Sequence, residues 1–121
     1  MKKLLFIEDE AALQKTIGDA LRKEGYEVVS ALDGETGLRL AQQETPDLIL
    51  LDLILPKMHG LDLLAKLRED EKTKDIPVIV LTNVGDIQGV EKAVSLGARA
   101  YLVKSDYKLD EVIRKIKEVI Q

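Results

Sequence analysis

The stretch Leu48-Ile49-Leu50-Leu51-Asp52-Leu53-Ile54-Leu55 places one charged residue inside an otherwise unbroken apolar run. The run is far shorter than the roughly 20 residues a membrane span requires. Its first half is apolar on both faces of an extended chain, which is the pattern of a strand buried in a parallel sheet. An aspartate in that setting costs free energy unless it stands exposed at the strand end or has a partner. The stretch therefore predicts a strand over Leu48–Leu51 that ends on Asp52, and Asp52 becomes the first candidate site residue.

Outward from this stretch, short apolar runs alternate with longer amphipathic ones, about five times in all and without a linker-like break. The runs predict strands over Lys3–Ile7, Glu27–Ala31, Leu48–Leu51, Val78–Leu81 and Ala100–Val103. The intervals predict helices over Ala11–Lys23, Gly34–Gln43, Leu61–Arg68, Ile87–Leu96 and Leu109–Ile120. Gly25 and Gly97 follow two of these helices, where a C-cap needs a left-handed residue. In the last helix Leu109, Val112, Ile113, Ile116, Val119 and Ile120 make one apolar stripe for packing onto a sheet. Right-handed crossovers between parallel strands then force helices onto both faces, an α/β doubly wound fold around a five-stranded parallel sheet. A chain of 121 residues suits one such domain, spanning 1–121, and is too short for two ordinary ones.

Composition narrows the function. The absence of cysteine excludes a disulfide framework, a thiolate metal site and a cysteine nucleophile. The single histidine, His59, argues against a multi-histidine metal site. It reads as a solvent-facing loop residue. Lys and Arg total 18 against 22 Asp and Glu, a net charge of -4, so bulk attraction to nucleic acid is not expected. The amino terminus reaches Glu8 before a signal-like apolar region can develop, and no membrane span is expected, so a cytoplasmic location follows. Lys66, Arg68, Glu69 and Asp70 read as a solvated helix face.

In open α/β sheets functional groups gather at the carboxyl ends of the strands. There the predicted strands deliver Glu8, Asp9 and Glu10, then Asp52, Thr82 and Lys104. Singly, each has an ordinary explanation: acids favour helix starts, threonine favours strands and lysine favours surfaces. Together they suggest more. Converging carboxylates repel one another, and a hard divalent cation with oxygen ligands, Mg²⁺, relieves that repulsion. With Mg²⁺ present, Asp52 can act as a nucleophile toward a phosphoryl group whose oxygens bind the Lys104 ammonium and the Thr82 hydroxyl.

The acid pair Glu8-Asp9, Asp52 followed by Pro56 and Gly60, Thr82 after Val-Ile-Val-Leu, and Gly97-Ala98-Arg99-Ala100-Tyr101-Leu102-Val103-Lys104 form a combined pattern. It resembles the receiver domains of two-component response regulators, and the match runs over essentially the whole chain. The resemblance implies a flavodoxin-like strand order, 2-1-3-4-5. It implies that Asp52 is the phosphoacceptor, that Asp9, Asp52 and the backbone carbonyl of Ile54 ligate Mg²⁺, and that Glu8 acts on the metal through water. Thr82 and Lys104 would hold phosphoryl oxygens, and Tyr101 would change rotamer as Thr82 moves. Partners implied are a sensor histidine kinase or phosphotransfer protein and a downstream protein that reads the face of helix four, strand five and helix five. A phosphorylation-dependent dimer is also allowed, whereas direct nucleic-acid binding by this domain is not expected.

Two positions depart from the family pattern. Lys104 is followed by Ser105 where the family commonly has a cis proline, and a cis bond before a non-proline costs about 2.5–4 kcal/mol, so a trans Lys104–Ser105 peptide is expected. Asn83 is larger than the small residue often found after the threonine. Ile54 and Val84, two residues beyond Asp52 and Thr82, are apolar and cannot orient a water for hydrolysis, which predicts a long-lived phosphorylated state.

The competing class is an enzyme, an aspartyl-phosphate phosphohydrolase, but such enzymes usually carry a second aspartate where this chain has Ile54. Dinucleotide and flavin binding lack a Gly-rich phosphate loop after the first strand. The domain is accordingly expected not to be an enzyme beyond catalysing its own phosphorylation and dephosphorylation. Within the receiver reading, a stand-alone regulator competes with a receiver detached from a longer DNA-binding regulator. Arg99-Ala100, where the winged-helix class usually has an acidic pair, favours the stand-alone protein.

Overall fold

A computed structural model describes residues 1–83 and 87–120. The elements alternate strictly: β1 (Lys3–Ile7), α1 (Ala11–Lys23), β2 (Glu27–Ala31), α2 (Gly34–Glu44), β3 (Leu48–Leu51), α3 (Gly60–Glu69), β4 (Val78–Thr82), α4 (Ile87–Ser95), β5 (Ala98–Val103) and α5 (Leu109–Ile120). The five strands lie in the order β2-β1-β3-β4-β5, all pairs parallel, as expected.

Strand alternation sorts the core into two faces. Leu5, Ile7, Ile49, Leu51, Val78 and Val80 point to one side and meet Ala41 of α2, Leu63, Leu64 and Leu67 of α3 and Ala93 of α4. Leu4, Phe6, Leu48, Leu50, Ile79 and Leu81 point to the other and meet Ile17 and Leu21 of α1 and Val112 and Ile116 of α5. Every residue of β3 and β4 is buried, and none of β5 is fully buried.

Helix ends follow local chemistry. Asp33 caps α2 by accepting from Thr36 N–H at 2.8 Å, and His59 caps α3 through Nδ1, which accepts from Leu61 N–H at 3.1 Å. That cap starts α3 one residue earlier than the apolar periodicity predicts. Gly25 and Gly97 sit at φ 95° and 85°, the left-handed turns expected after α1 and α4.

Gly60 has a different reason to be glycine. Its N–H donates to Leu53 C=O at 2.7 Å. A Cβ there would fall 2.5 Å from Leu53 Cα and 2.6 Å from the Asp52 carbonyl oxygen. Backbone would have to give way, so Gly60→Ala is expected to cost roughly 1–3 kcal/mol. Thermal melts followed by circular dichroism should show a fall of roughly 4–12 °C. An unchanged melting temperature would contradict this close approach.

Candidate functional site

Parallel pairing brings the carboxyl ends of β1, β3, β4 and β5 to one edge of the sheet. Asp52 leaves β3 with its N–H bonded to Ile7 C=O of β1 at 3.0 Å, which sets it beside the acids that follow β1. Thr82 pairs in register with Val103, and Lys104 N–H donates to Thr82 C=O at 2.9 Å, so β4 aims the lysine at the same point.

There the Lys104 ammonium meets three carboxylates. It lies 2.6 Å from Glu8 Oε1, 2.9 Å from Asp52 Oδ2 and 3.0 Å from Glu10 Oε1. Its side chain is only 9% exposed, so it is no ordinary surface lysine. Burial alone would lower its pKa, but the close carboxylates of Glu8, Asp52 and Glu10 outweigh that and hold it above the usual lysine range. The Glu8 side chain is fully buried, and that burial pushes its carboxyl up to about 7, against the pull of Lys104 and the Glu10 N–H. The nearby Asp52 charge adds to the rise.

Glu8, Asp9 and Asp52 each offer an oxygen within 4.8 Å of the others. Glu8 Oε2 accepts from Glu10 N–H at 3.0 Å, whereas buried Glu8 Oε1 has no aligned hydrogen-bond donor, its approach to Lys104 being an ion-pair contact. Three carboxylates gathered at one strand edge form an all-oxygen donor set that fits a hard divalent cation. Asp9 is exposed and Asp52 only 4% exposed, so the cluster opens on one side. It opens into a cleft of about 250 Å³ lined by Asp9, Glu10, Asp52, Ile54, Asn83 and Lys104. Ile54 N–H donates to Asp52 Oδ1 at 3.2 Å, and the Ile54 side chain is 54% exposed.

Thr82 is fully buried at the end of β4. Tyr101 is half-buried on β5, level with Val80, and packs on the face covered by α2, α3 and α4. Asn83 is exposed at the cleft rim. Among the described residues no peptide bond is cis, as expected for Lys104–Ser105. Val84 lies outside the described residues.

Four residues escape the sequence reading. Glu10 is a partner of Lys104 rather than a plain helix-start acid. Gln14 is buried, and its Nε2 donates to the carbonyls of Phe6, Glu8 and Ala31 at 2.9, 3.1 and 3.1 Å, tying the exits of β1 and β2 together. Its signal was present: Gln14 shares the stripe of Ile17 and Leu21, a polar residue on the face α1 turns to the sheet. Arg68 is not part of a solvated face. It is half-buried and donates to the carbonyls of Leu96, Lys74 and Ile76 at 2.7, 3.0 and 2.8 Å, satisfying acceptors at the end of α4 and in the connection that leads into β4. Asp70 likewise accepts from Gln42 Nε2 and Lys72 N–H.

Comparison with known proteins identifies the family. Residues 4–117 match the family described as the response regulator receiver domain. The chain is 39% identical over 121 residues to the DNA-binding dual master transcriptional regulator RpaA of Synechocystis, covering all of this chain and 50% of that protein. Chemotaxis protein CheY4 of Vibrio cholerae superposes with a TM-score of 0.90 at 27% identity, covering 98% of each chain. The Mn²⁺-bound form of response regulator Rcp1 superposes with a TM-score of 0.83 at 30% identity, covering 98% of this chain and 91% of that one. The chain spans about half the length of the curated relatives it matches. No helix among the described residues is long and apolar enough to cross a membrane.

Proposed function

This chain belongs to the response regulator receiver family of two-component systems, and from that membership we propose that it is a phosphorylation-dependent switch whose acceptor is Asp52. The observation that carries the proposal is the placement of Asp52 at the floor of an open cleft, with the Lys104 ammonium 2.9 Å from its Oδ2. The relevant partners are a histidine kinase or phosphotransfer protein upstream and a protein effector downstream.

Glu8, Asp9, Asp52 and the Ile54 carbonyl would hold Mg²⁺, which when bound neutralises charge that builds on the transferring phosphoryl group. An Rcp1 structure with Mn²⁺ supports a divalent cation in this family. The Asp52 carboxylate attacks phosphorus as the bond to the donor histidine nitrogen breaks, and that nitrogen keeps the electron pair. Lys104 is displaced from the carboxylates toward a phosphoryl oxygen, and Thr82 donates its hydroxyl to another. The exposed, apolar Ile54 covers the cleft without orienting a water, which favours a long-lived product.

A phosphoryl group adds a charge of about -1.5 to -2 at Asp52. Movement of Thr82 toward it vacates space behind β4 that Tyr101 fills, remodelling the face made by α4, β5 and α5. A downstream protein, or a second copy of the domain, reads that face.

Thermal melts test the site. Mg²⁺ should raise the melting temperature by mass action, about 2.7 kcal/mol of stabilisation at 100 times the dissociation constant. Beryllofluoride, a phosphoryl mimic, should raise it further, and Asp9→Ala should remove most of both gains. Superimposable melts with and without Mg²⁺ and beryllofluoride would overturn the proposal.

A second reading rests on the half-length coverage of relatives such as RpaA, described as DNA-binding. In that reading the same switch governs a DNA-binding portion of a longer protein. Immunoblotting of cell extract with an antibody to this domain separates the readings by the size of the band.

A further inference from the structure

At the opposite end of the sheet from Asp52, the amino ends of β4 and β5 border a cleft of about 470 Å³. Two arginines line it, Arg68 from α3 and Arg99 from β5. β4 separates the two ends by roughly 17 Å, five residues at about 3.3 Å each. We propose that this cleft binds a small doubly charged oxyanion, a phosphate or dicarboxylate, between the guanidinium groups of Arg68 and Arg99.

The Arg68 guanidinium is built into the wall. Nε donates to Leu96 C=O and Nη1 to the Lys74 and Ile76 carbonyls, which fixes the plane of the group. Nη2 has no acceptor among the described residues, so its two N–H groups remain available to donate to an oxyanion. Gly97 lies over this group: a Cβ there would stand 3.3 Å from Nε and 3.6 Å from Nη2, so its absence keeps the guanidinium accessible. Arg99 is exposed at the rim.

The charge balance of the cleft is positive in a chain that is acidic overall. Neither arginine has a carboxylate within 4.0 Å among the described residues, since the arginine ion pairs involve Arg22 and Arg114. Asp75 lines the cleft as its one acid, and Lys74 is already paired with Glu71 at 2.9 Å. Two neighbouring guanidiniums repel each other, and the proximity of Arg99 contributes to lowering the Arg68 pKa, after the larger effect of burial. A dianion relieves that repulsion, and planar forks of donors suit phosphate and carboxylate oxygens.

The test is an NMR titration of the ¹⁵N-labelled full chain in metal-free buffer with EDTA, which keeps Mg²⁺-dependent binding at Asp52 out of the measurement. Sodium phosphate and sodium succinate are the probes, each against sodium chloride at matched ionic strength. Saturable shifts are expected at the amides of Leu96, Gly97 and Arg99 and at Arg68 Nε–H. Saturation by phosphate alone assigns the site to phosphoryl compounds, and saturation by both extends it to dicarboxylates. Arg99→Ala should weaken binding at least tenfold with an unchanged melting temperature. Arg68→Lys, which keeps the charge but loses the fork, should also weaken it. Shifts no larger than with chloride, or an affinity undiminished in Arg99→Ala, would overturn the proposal. Failure here would leave the switch at Asp52 untouched, because the two sites share no residue.

Discussion

Incubated with Mg²⁺ and acetyl phosphate, the protein should gain one phosphoryl group, and Asp52→Asn should gain none. Intact-mass spectrometry reads both outcomes directly. The expectation of complete loss rests on how differently the four clustered acids are placed. Glu8 is fully buried, turned inward against Lys104 and the Glu10 N–H, and does not line the open cleft. Asp9 and Glu10 are exposed residues at the rim, where solvent competes with any ordered approach of a donor. Asp52 alone is both desolvated, which strengthens electrostatics around a reacting oxygen, and open to the cleft. Asparagine keeps the shape of the side chain but offers no carboxylate nucleophile. An adduct of undiminished yield in Asp52→Asn would place the acceptor elsewhere.

Lys104→Met should unsettle the domain in metal-free buffer by roughly 3 kcal/mol, a fall in melting temperature of roughly 12 °C. Methionine preserves much of the stem, so the loss isolates the ammonium. Without it, Glu8 and Asp52 face each other with no counter-ion at side-chain exposures of 0% and 5%. Removing one member of a buried ionic group is costly because the remaining charges stay desolvated. Mg²⁺ should recover most of the stability, since a divalent cation supplies the missing positive charge. Equal destabilisation with and without Mg²⁺ would show that Lys104 acts through packing alone.

Much of this organisation was legible in the residues. The bounds of α1 and α5, and of β1, β2 and β3, agree with the apolar periodicity, because helices with strong stripes and strands buried on both faces leave little room for another assignment. Glu8, Asp9, Asp52, Thr82 and Lys104 could be grouped because parallel strands share a carboxyl edge. What escaped depends on partners distant in sequence. Arg68 looks like any charge on an exposed helix until Leu96, Lys74 and Ile76 are seen to aim carbonyls at it. β4 reaches Thr82 and β5 begins at Ala98 because pairing between them, not their own hydropathy, decides where each stops. Glu10 gained its role only when a lysine 94 residues away arrived beside it.

The shallow burial of β5 carries a consequence for cooperativity. A strand with no fully buried residue, joined to the sheet on one side only and through a register shift near Val78 and Ile79, belongs to the low-stability end of the molecule. Amide hydrogen exchange should therefore be faster along β5 than along β3, where every residue is buried. Coupling between two sites in a protein is commonly worth only about 1–3 kcal/mol. An event of that size would be lost against the full unfolding free energy, but it is commensurate with detaching or reseating a loosely held margin. The sheet thus offers a division of work, a fully buried β3 that sets Asp52 in place and a shallowly buried β5 that carries Lys104 to it, and under the proposed switch it is this margin that one added charge would reseat.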